Sequence, residues 1–249
     1  MKVSDLFLKC LEEEGVEYIF GVPGEENADI MMSLLDSPIR FIITRHEQGA
    51  AFMADLYGRL TGKPGVCLAT LGPGATNLIT GYANAHFDNS PIVAITGQGS
   101  SLRLHKESHQ NMDVVSMFHP CSKWNQSIRQ PQNIPEVIRK AFKLAAREKP
   151  GGCHIELPED IAKMDCDLSP IPVQNRKLRR PAADYKAIEA TVELLKGARR
   201  PLFLAGNGCT RARANKQLLE LVNTTGIMVA HTFMGKGAVS ARDHRSLGI

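Results

Sequence analysis

The chain has 249 residues, 43% of them hydrophobic, enough for one large or two modest domains with their own cores. Against 26 Asp and Glu stand 30 Lys and Arg, and the net charge of +4 is too small to argue for a nucleic-acid partner. No apolar run approaches the ~20 residues that cross a bilayer, and Met1-Lys2-Val3-Ser4-Asp5 starts an amphipathic helix rather than a signal peptide.

Along the chain, short β-branched runs alternate with helical patterns, which predicts an α/β fold with a doubly wound parallel sheet. Residues 16–20 read as a strand followed by Gly21-Val22-Pro23-Gly24. Residues 39–44 read as a strand that runs into Arg45-His46-Glu47 and a helix over 48–60. A strand over 66–71 leads into Gly72-Pro73-Gly74-Ala75-Thr76-Asn77, and one over 92–96 into Gly97-Gln98-Gly99. If these strands are parallel, the four glycine-bearing loops share the carboxyl rim of the sheet, where open α/β sheets bind ligands. Glu47 then falls in a first helical turn on that rim, where an acid can simply complement the helix dipole or serve a pocket. Glu25-Glu26 read as outward-pointing acids capping a helix that begins near Asn27.

The six cysteines, at positions 10, 67, 121, 153, 166 and 209, form no C-x-x-C pair and no zinc spacing. They read as free thiols of a reducing, cytoplasmic compartment, with Cys67 and Cys153 as small buried hydrophobes. The eight histidines form no H-E-x-x-H, and Gly58-Arg59-Leu60-Thr61-Gly62-Lys63 falls short of a phosphate-binding Walker loop, so no residue is assigned to a metal.

After the connector 158–181, whose basic cluster Arg176, Lys177, Arg179 and Arg180 reads as a solvated linker, the pattern restarts. A helix over 184–196, a buried strand over 201–205, a helix over 211–223 and a strand over 227–230 begin a second α/β unit. The expected domains are therefore 1–165, a linker over 166–183, and an incomplete central α/β domain over 184–249. Gly206-Asn207-Gly208 lacks the third glycine of the dinucleotide fingerprint.

Taken together, Phe20-Gly21-Val22-Pro23-Gly24, the run from Arg45 through Glu47 to Gly62, Gly72-Pro73-Gly74-Ala75-Thr76-Asn77, Thr96-Gly97-Gln98 and Ser108-His109-Gln110-Asn111-Met112-Asp113 resemble the pyrimidine-binding domain of thiamine-diphosphate enzymes, and among them acetolactate synthase. The resemblance covers 3–158 and resumes over 201–249. It implies that Glu47 hydrogen-bonds the pyrimidine nitrogen of thiamine diphosphate and so activates it. It further implies that Pro23, Gly24, Gly72, Pro73 and Asn77 line or orient that ring, and that Gln110 faces the reacting centre. The reaction implied decarboxylates pyruvate and joins the product to a second 2-oxo acid, in a homodimer or homotetramer. His109 beside Gln110 is similar to the catabolic acetolactate synthases, and a role in branched-chain amino acid biosynthesis is the alternative. In the second unit, Gly206, Gly208 and Thr232 match the loops that hold FAD in some relatives, while many keep the fold without it.

The Gly-Asp-Gly with a downstream Asn-Asn that holds magnesium diphosphate in the family does not occur in these residues. The resemblance accordingly implies that Mg is bound by a separate carboxy-terminal domain, and that the chain is the amino-terminal part of a longer enzyme, inactive alone. The alternatives are a non-catalytic pyrimidine-domain subunit that pairs with another chain, or a relative such as glyoxylate carboligase, oxalyl-CoA decarboxylase or pyruvate oxidase.

Overall fold

The structure, a computed structural model, describes residues 1–103, 106–173 and 182–249. The basic cluster Arg176, Lys177, Arg179 and Arg180 lies outside the described residues. The chain divides into two compact units, Met1–Leu178 and Arg179–Ile249.

In the first unit, helix α1 (Val3–Glu13) buries Val3, Leu6, Phe7, Cys10 and Leu11, a stripe at helical spacing. Strand β1 (Tyr18–Gly21), helix α2 (Ala28–Ser33) and strand β2 (Arg40–Ile43) follow. Helix α3 (Glu47–Thr61) is capped by His46, whose Nδ1 accepts from the Gln48 N–H, and ends at Gly62 in the left-handed conformation. Next come strand β3 (Gly65–Ala69), helix α4 (Gly72–Phe87) with Pro73 in its first turn, strand β4 (Ile92–Gln98) and helix α5 (Val114–Phe118). Strand β5 (Trp124–Ser127), helix α6 (Ile134–Ala146), strand β6 (Gly152–Pro158) and helix α7 (Glu159–Lys163) complete the unit.

The six strands are all parallel, in the order β2-β1-β3-β4-β6-β5. Helices cover both faces, so the central strands are buried on alternating sides. Val66, Leu68, Val93, Ile95, Cys153 and Ile155 join the apolar faces of α1 and α6 in one core. Cys67, Ala69, Ile92 and Ala94 join Ala50, Ala51, Ala54, Ala75, Leu78, Tyr82 and Phe118 in the other. Those alanines let α3 and α4 approach closely. Ala50 and Ala54 are fully buried in that contact. Asp55 locks the same pair of helices: Arg59 donates to both of its oxygens, at 2.7 and 2.9 Å, and Asn84 of α4 donates to Oδ2 at 2.9 Å.

Two local readings change. Gly97 and Gln98 belong to β4 rather than to a loop, because β6 extends far enough to pair with them. Glu25 and Glu26 form a single 3-10 turn with Asn27, and α2 begins at Ala28. Glu25 is exposed, while Glu26 lays its backbone against Gly97.

The second unit holds helix α8 (Tyr185–Gly197), strand β7 (Leu202–Ala205), helix α9 (Asn207–Arg211), helix α10 (Asn215–Thr225), and strands β8 (Met228–His231) and β9 (Ser246–Gly248). Its sheet has three parallel strands, β7-β8-β9, one more than the two expected. The third strand is only three residues long and follows polar turns, so no periodicity announces it. Strand β7 is also less buried than expected. Ala205 packs with Val222 and Val229, whereas Leu202 and Leu204 point to the other face and are exposed.

Candidate functional site

In the first unit the chain leaves β1 toward β2 on one side and returns through β3 on the other, so the sheet reverses direction beside β1. This is the switch point at which doubly wound sheets open a crevice at their carboxyl ends. The loops after β1 and β3 flank it, and α3 begins beside it.

Glu47 is the first residue of α3 and half-buried. Its Oε2 accepts a hydrogen bond from Asn77 Nδ2, in the second turn of α4, at 3.0 Å. A bond from a neutral amide to a carboxylate in partial burial is worth about 1.5–3 kcal/mol and fixes the rotation of the carboxyl group. Among the described residues Oε1 has no hydrogen-bond partner. It lies over Gly74, where a built Cβ would sit 3.5 Å from it.

Three loops converge on this acid through close backbone approaches. Thr70, just past β3, fills the space where Gly24 and Gly74 lack side chains: a Cβ on either glycine would come within 2.5 Å of a Thr70 side-chain atom. Gly72 has φ +49°, and its missing Cβ leaves room for the Gln110 carbonyl, 2.7 Å from where that atom would stand. Asn27, almost fully buried, holds the first loop by accepting from the Gly24 N–H at 2.9 Å and donating to the Val22 carbonyl.

The structure therefore brings Glu47, Asn77, Gly24, Gly72 and Gln110 to one rim. Gln110 is exposed, with positive φ, and its backbone rather than its carboxamide touches Gly72. His109 is exposed beside it, and Pro23 and Pro73 stand exposed on the rim. In the second unit Gly206 caps α9 and Gly208 lies within it. Thr232 N donates to the Ala205 carbonyl at 3.0 Å, which sets Thr232 beside the end of β7. Among the described residues no group of three or more His, Cys, Asp or Glu gathers as a metal site.

Sequence reading missed a second layer beneath the rim. Gln98 Nε2 donates to Glu156 Oε2 at 2.9 Å and to the Met112 carbonyl at 3.0 Å, and both side chains are nearly inaccessible. Burial raises the Glu156 pKa, partly offset by hydrogen bonds from Ser127 and Gln98. One step further from the rim, Thr96 Oγ1 meets His154 Nε2 at 2.8 Å, and Phe118 stacks on the imidazole with ring centroids 4.0 Å apart. His154 is fully buried, its Nδ1 has no partner among the described residues, and burial lowers its pKa to about 3. It is a neutral core histidine. The buried thiols of Cys67 and Cys153 are likewise pushed up to about 12 by desolvation, so they pack as apolar groups. The only signal for this layer was a polar residue at every second place of an otherwise apolar strand.

A helix-initial carboxylate steered by an asparagine thus stands at the switch point of a doubly wound parallel sheet, the place where α/β domains of this kind bind ligands. The chain belongs to the thiamine pyrophosphate enzymes: residues 1–117 match their N-terminal TPP binding domain and residues 188–249 their central domain. It is similar to a probable acetolactate synthase large subunit of Methanococcus aeolicus, 39% identical over all of this chain and 42% of the relative. An acetolactate synthase large subunit IlvB1 of Mycobacterium tuberculosis is 37% identical over 97% of this chain and 40% of its own length. Acetolactate synthase 2, chloroplastic, of Nicotiana tabacum is 38% identical over 100% of this chain and 38% of its own. The chain thus spans about two fifths of the curated relatives it matches. No helix among the described residues is long and apolar enough to cross a membrane.

Proposed function

We propose that this chain supplies the pyrimidine-holding half of an acetolactate synthase-type active site. The observation that carries the reading is the Glu47 carboxylate at the switch-point crevice, with Oε2 engaged by Asn77 and Oε1 left for a ligand. The residues present fit the cofactor's aminopyrimidine. They offer a proton-sharing carboxyl group, a glycine-lined approach at Gly24, Gly72 and Gly74, and apolar walls from Pro23 and Pro73.

When bound, thiamine diphosphate supplies the nucleophilic carbon to which a 2-oxo acid adds. Glu47 holds or releases a proton at Oε1. By occupying Oε2, Asn77 fixes the carboxyl group with Oε1 over Gly74. Gln110, carried on the loop against Gly72, orients the 2-oxo acid and limits water at the rim. Magnesium and the diphosphate are held by residues other than these, and any flavin in the protein lies on the rim of Gly206, Gly208 and Thr232. A pyruvate-joining carboligase is the function supported by these residues and by the relatives' names; assembly as a homodimer or homotetramer in the cytoplasm is part of the same proposal, with six free thiols in keeping with a reducing compartment. The test is Glu47→Gln in the intact protein, with acetolactate formed from pyruvate as readout: a fall of about 100-fold or more is expected for loss of a proton-transfer group. Wild-type turnover would remove Glu47 from this role.

A further inference from the structure

Residues 99–103 and 106–113 connect β4 to α5, and this excursion carries Gln110. Its footings are side chains of β4, β6 and α7. At the departing end, the Ser100 N–H donates to Glu159 Oε1 at 3.2 Å and the Ser101 N–H to Asp160 Oδ1 at 3.0 Å, while the Ser101 hydroxyl bonds Asp160 Oδ2. Midway, Asn111 Nδ2 donates to the Arg103 carbonyl at 3.0 Å. At the returning end the footing is one carboxamide. Gln98 Nε2 uses one N–H on Glu156 Oε2 and the other on the Met112 carbonyl, while Gln98 Oε1 accepts from the Gly99 N–H at 3.0 Å. Every hydrogen-bonding capacity needed at this place is met by an amide: two donors and one acceptor, aimed in three directions. A carboxylate has no donor, and an apolar side chain would leave Glu156 buried without this donor and the Met112 carbonyl with only the local Val114 N–H, at 3.0 Å.

Met112 lies two residues past Gln110, and Gln110 in turn rests its carbonyl and Cβ against Gly72. We propose that Gln98 is a positioning residue: its carboxamide, oriented by Glu156, ties the returning arm of the loop to the sheet and so sets Gln110 over Gly72. The role of Gln110 itself rests on the function proposed above, whereas the tether does not.

A reversed pair separates this role from a structural one. In Gln98→Glu combined with Glu156→Gln, the amide at 156 can donate to the carboxylate at 98 and the Gly99 N–H still has its acceptor, but the Met112 carbonyl loses its tie to the sheet and keeps only the local Val114 N–H, at 3.0 Å. Thermal unfolding and amide hydrogen exchange of residues 108–114 are measured for the wild type, Gln98→Glu and the reversed pair, together with steady-state turnover of pyruvate by the intact protein. Gln98→Glu is expected to lower the melting temperature and the reversed pair to restore most of it. Exchange over 108–114 is expected to stay about tenfold faster in both, the ratio that loss of one buried hydrogen bond gives. Turnover at saturating cofactor falls by a similar factor in both, with the thiamine diphosphate concentration for half-maximal rate unchanged, because Glu47 and Asn77 are untouched. Wild-type exchange in the reversed pair would overturn the tether, as would lost turnover without faster exchange. Faster exchange with wild-type turnover would uphold the tether and remove Gln110 from the chemistry.

Discussion

Asn77 and Glu47 lie thirty residues apart and on different helices, yet the amide of one meets the carboxylate of the other at 3.0 Å. The bond exists because α3 and α4 start side by side on the sheet rim and pack through small residues. It divides the labour of the carboxyl group, one oxygen for orientation and one for a ligand. Asn77→Asp keeps the shape, removes the donor and sets a second carboxylate against Glu47. Pyruvate turnover in the intact protein should fall about 10- to 100-fold, the kinetic equivalent of a charge-assisted hydrogen bond. The melting temperature should fall as well, by roughly 2–4 °C for each kcal/mol of the lost bond.

Gly72→Ala should act on stability and on the site together. The backbone there has φ +49°, and the new methyl would stand 2.7 Å from the Gln110 carbonyl oxygen and 2.9 Å from its Cβ. Strain of this kind costs about 1–3 kcal/mol, and in a protein of this size each kcal/mol lowers the melting temperature by roughly 2–4 °C. Calorimetry should show that shift, and amide exchange at 108–114 should accelerate. Gly197→Ala, where nothing lies within 4 Å of the added atom, is the control.

The Asp55 network should show how much burial decides the worth of an ion pair. Asp55→Ala leaves Arg59 and Asn84 without the nearly inaccessible carboxylate that both hydrogen-bond, and should cost roughly 3–5 kcal/mol in chemical unfolding. Asp88→Ala removes only the outer, about one-third exposed partner of Arg59 and should cost about 1 kcal/mol or less.

His154 predicts an acid-sensitive core. Its folded pKa, about 3, lies below the ordinary value of 6.5, so the unfolded chain takes up a proton that the folded chain refuses. Stability therefore falls as pH drops below 6.5, by about 1.4 kcal/mol per pH unit until the imidazole protonates in the fold. Glu156 works the other way. Its raised pKa means that the folded state gains protons more readily than the unfolded one, so its contribution is fully present at low pH and is lost as pH rises through its folded pKa. His154→Phe, which keeps the stacking on Phe118, should flatten the decline between pH 6.5 and 4.5 relative to the wild type. Parallel curves for the two proteins in urea unfolding would show that His154 is not the source.

The rim was readable because its parts are local: each glycine loop follows its strand directly, and Glu47 sits at a helix start marked by its neighbours. The depth of the site was not. Thr70 is an unremarkable residue between strand and turn, and its part as the wedge between Gly24 and Gly74 exists only once β1 and β3 are neighbours. Gln98 and Glu156 are 58 residues apart and meet only through the β4–β6 register. In the second unit, exposed Leu202 and Leu204 looked buried because an apolar run does not say which of its two faces is covered.

The central claim, that Glu47 is the group that shares a proton with the cofactor, is tested most directly by hydrogen–deuterium exchange at the thiazolium carbon of thiamine diphosphate bound to the intact protein. Wild type and Glu47→Gln are compared at saturating cofactor by quenched-flow NMR. The account predicts that Glu47→Gln binds the cofactor but slows this exchange by about 100-fold or more, because an amide cannot carry the proton. Exchange at the wild-type rate in Glu47→Gln, with the cofactor bound, would contradict it.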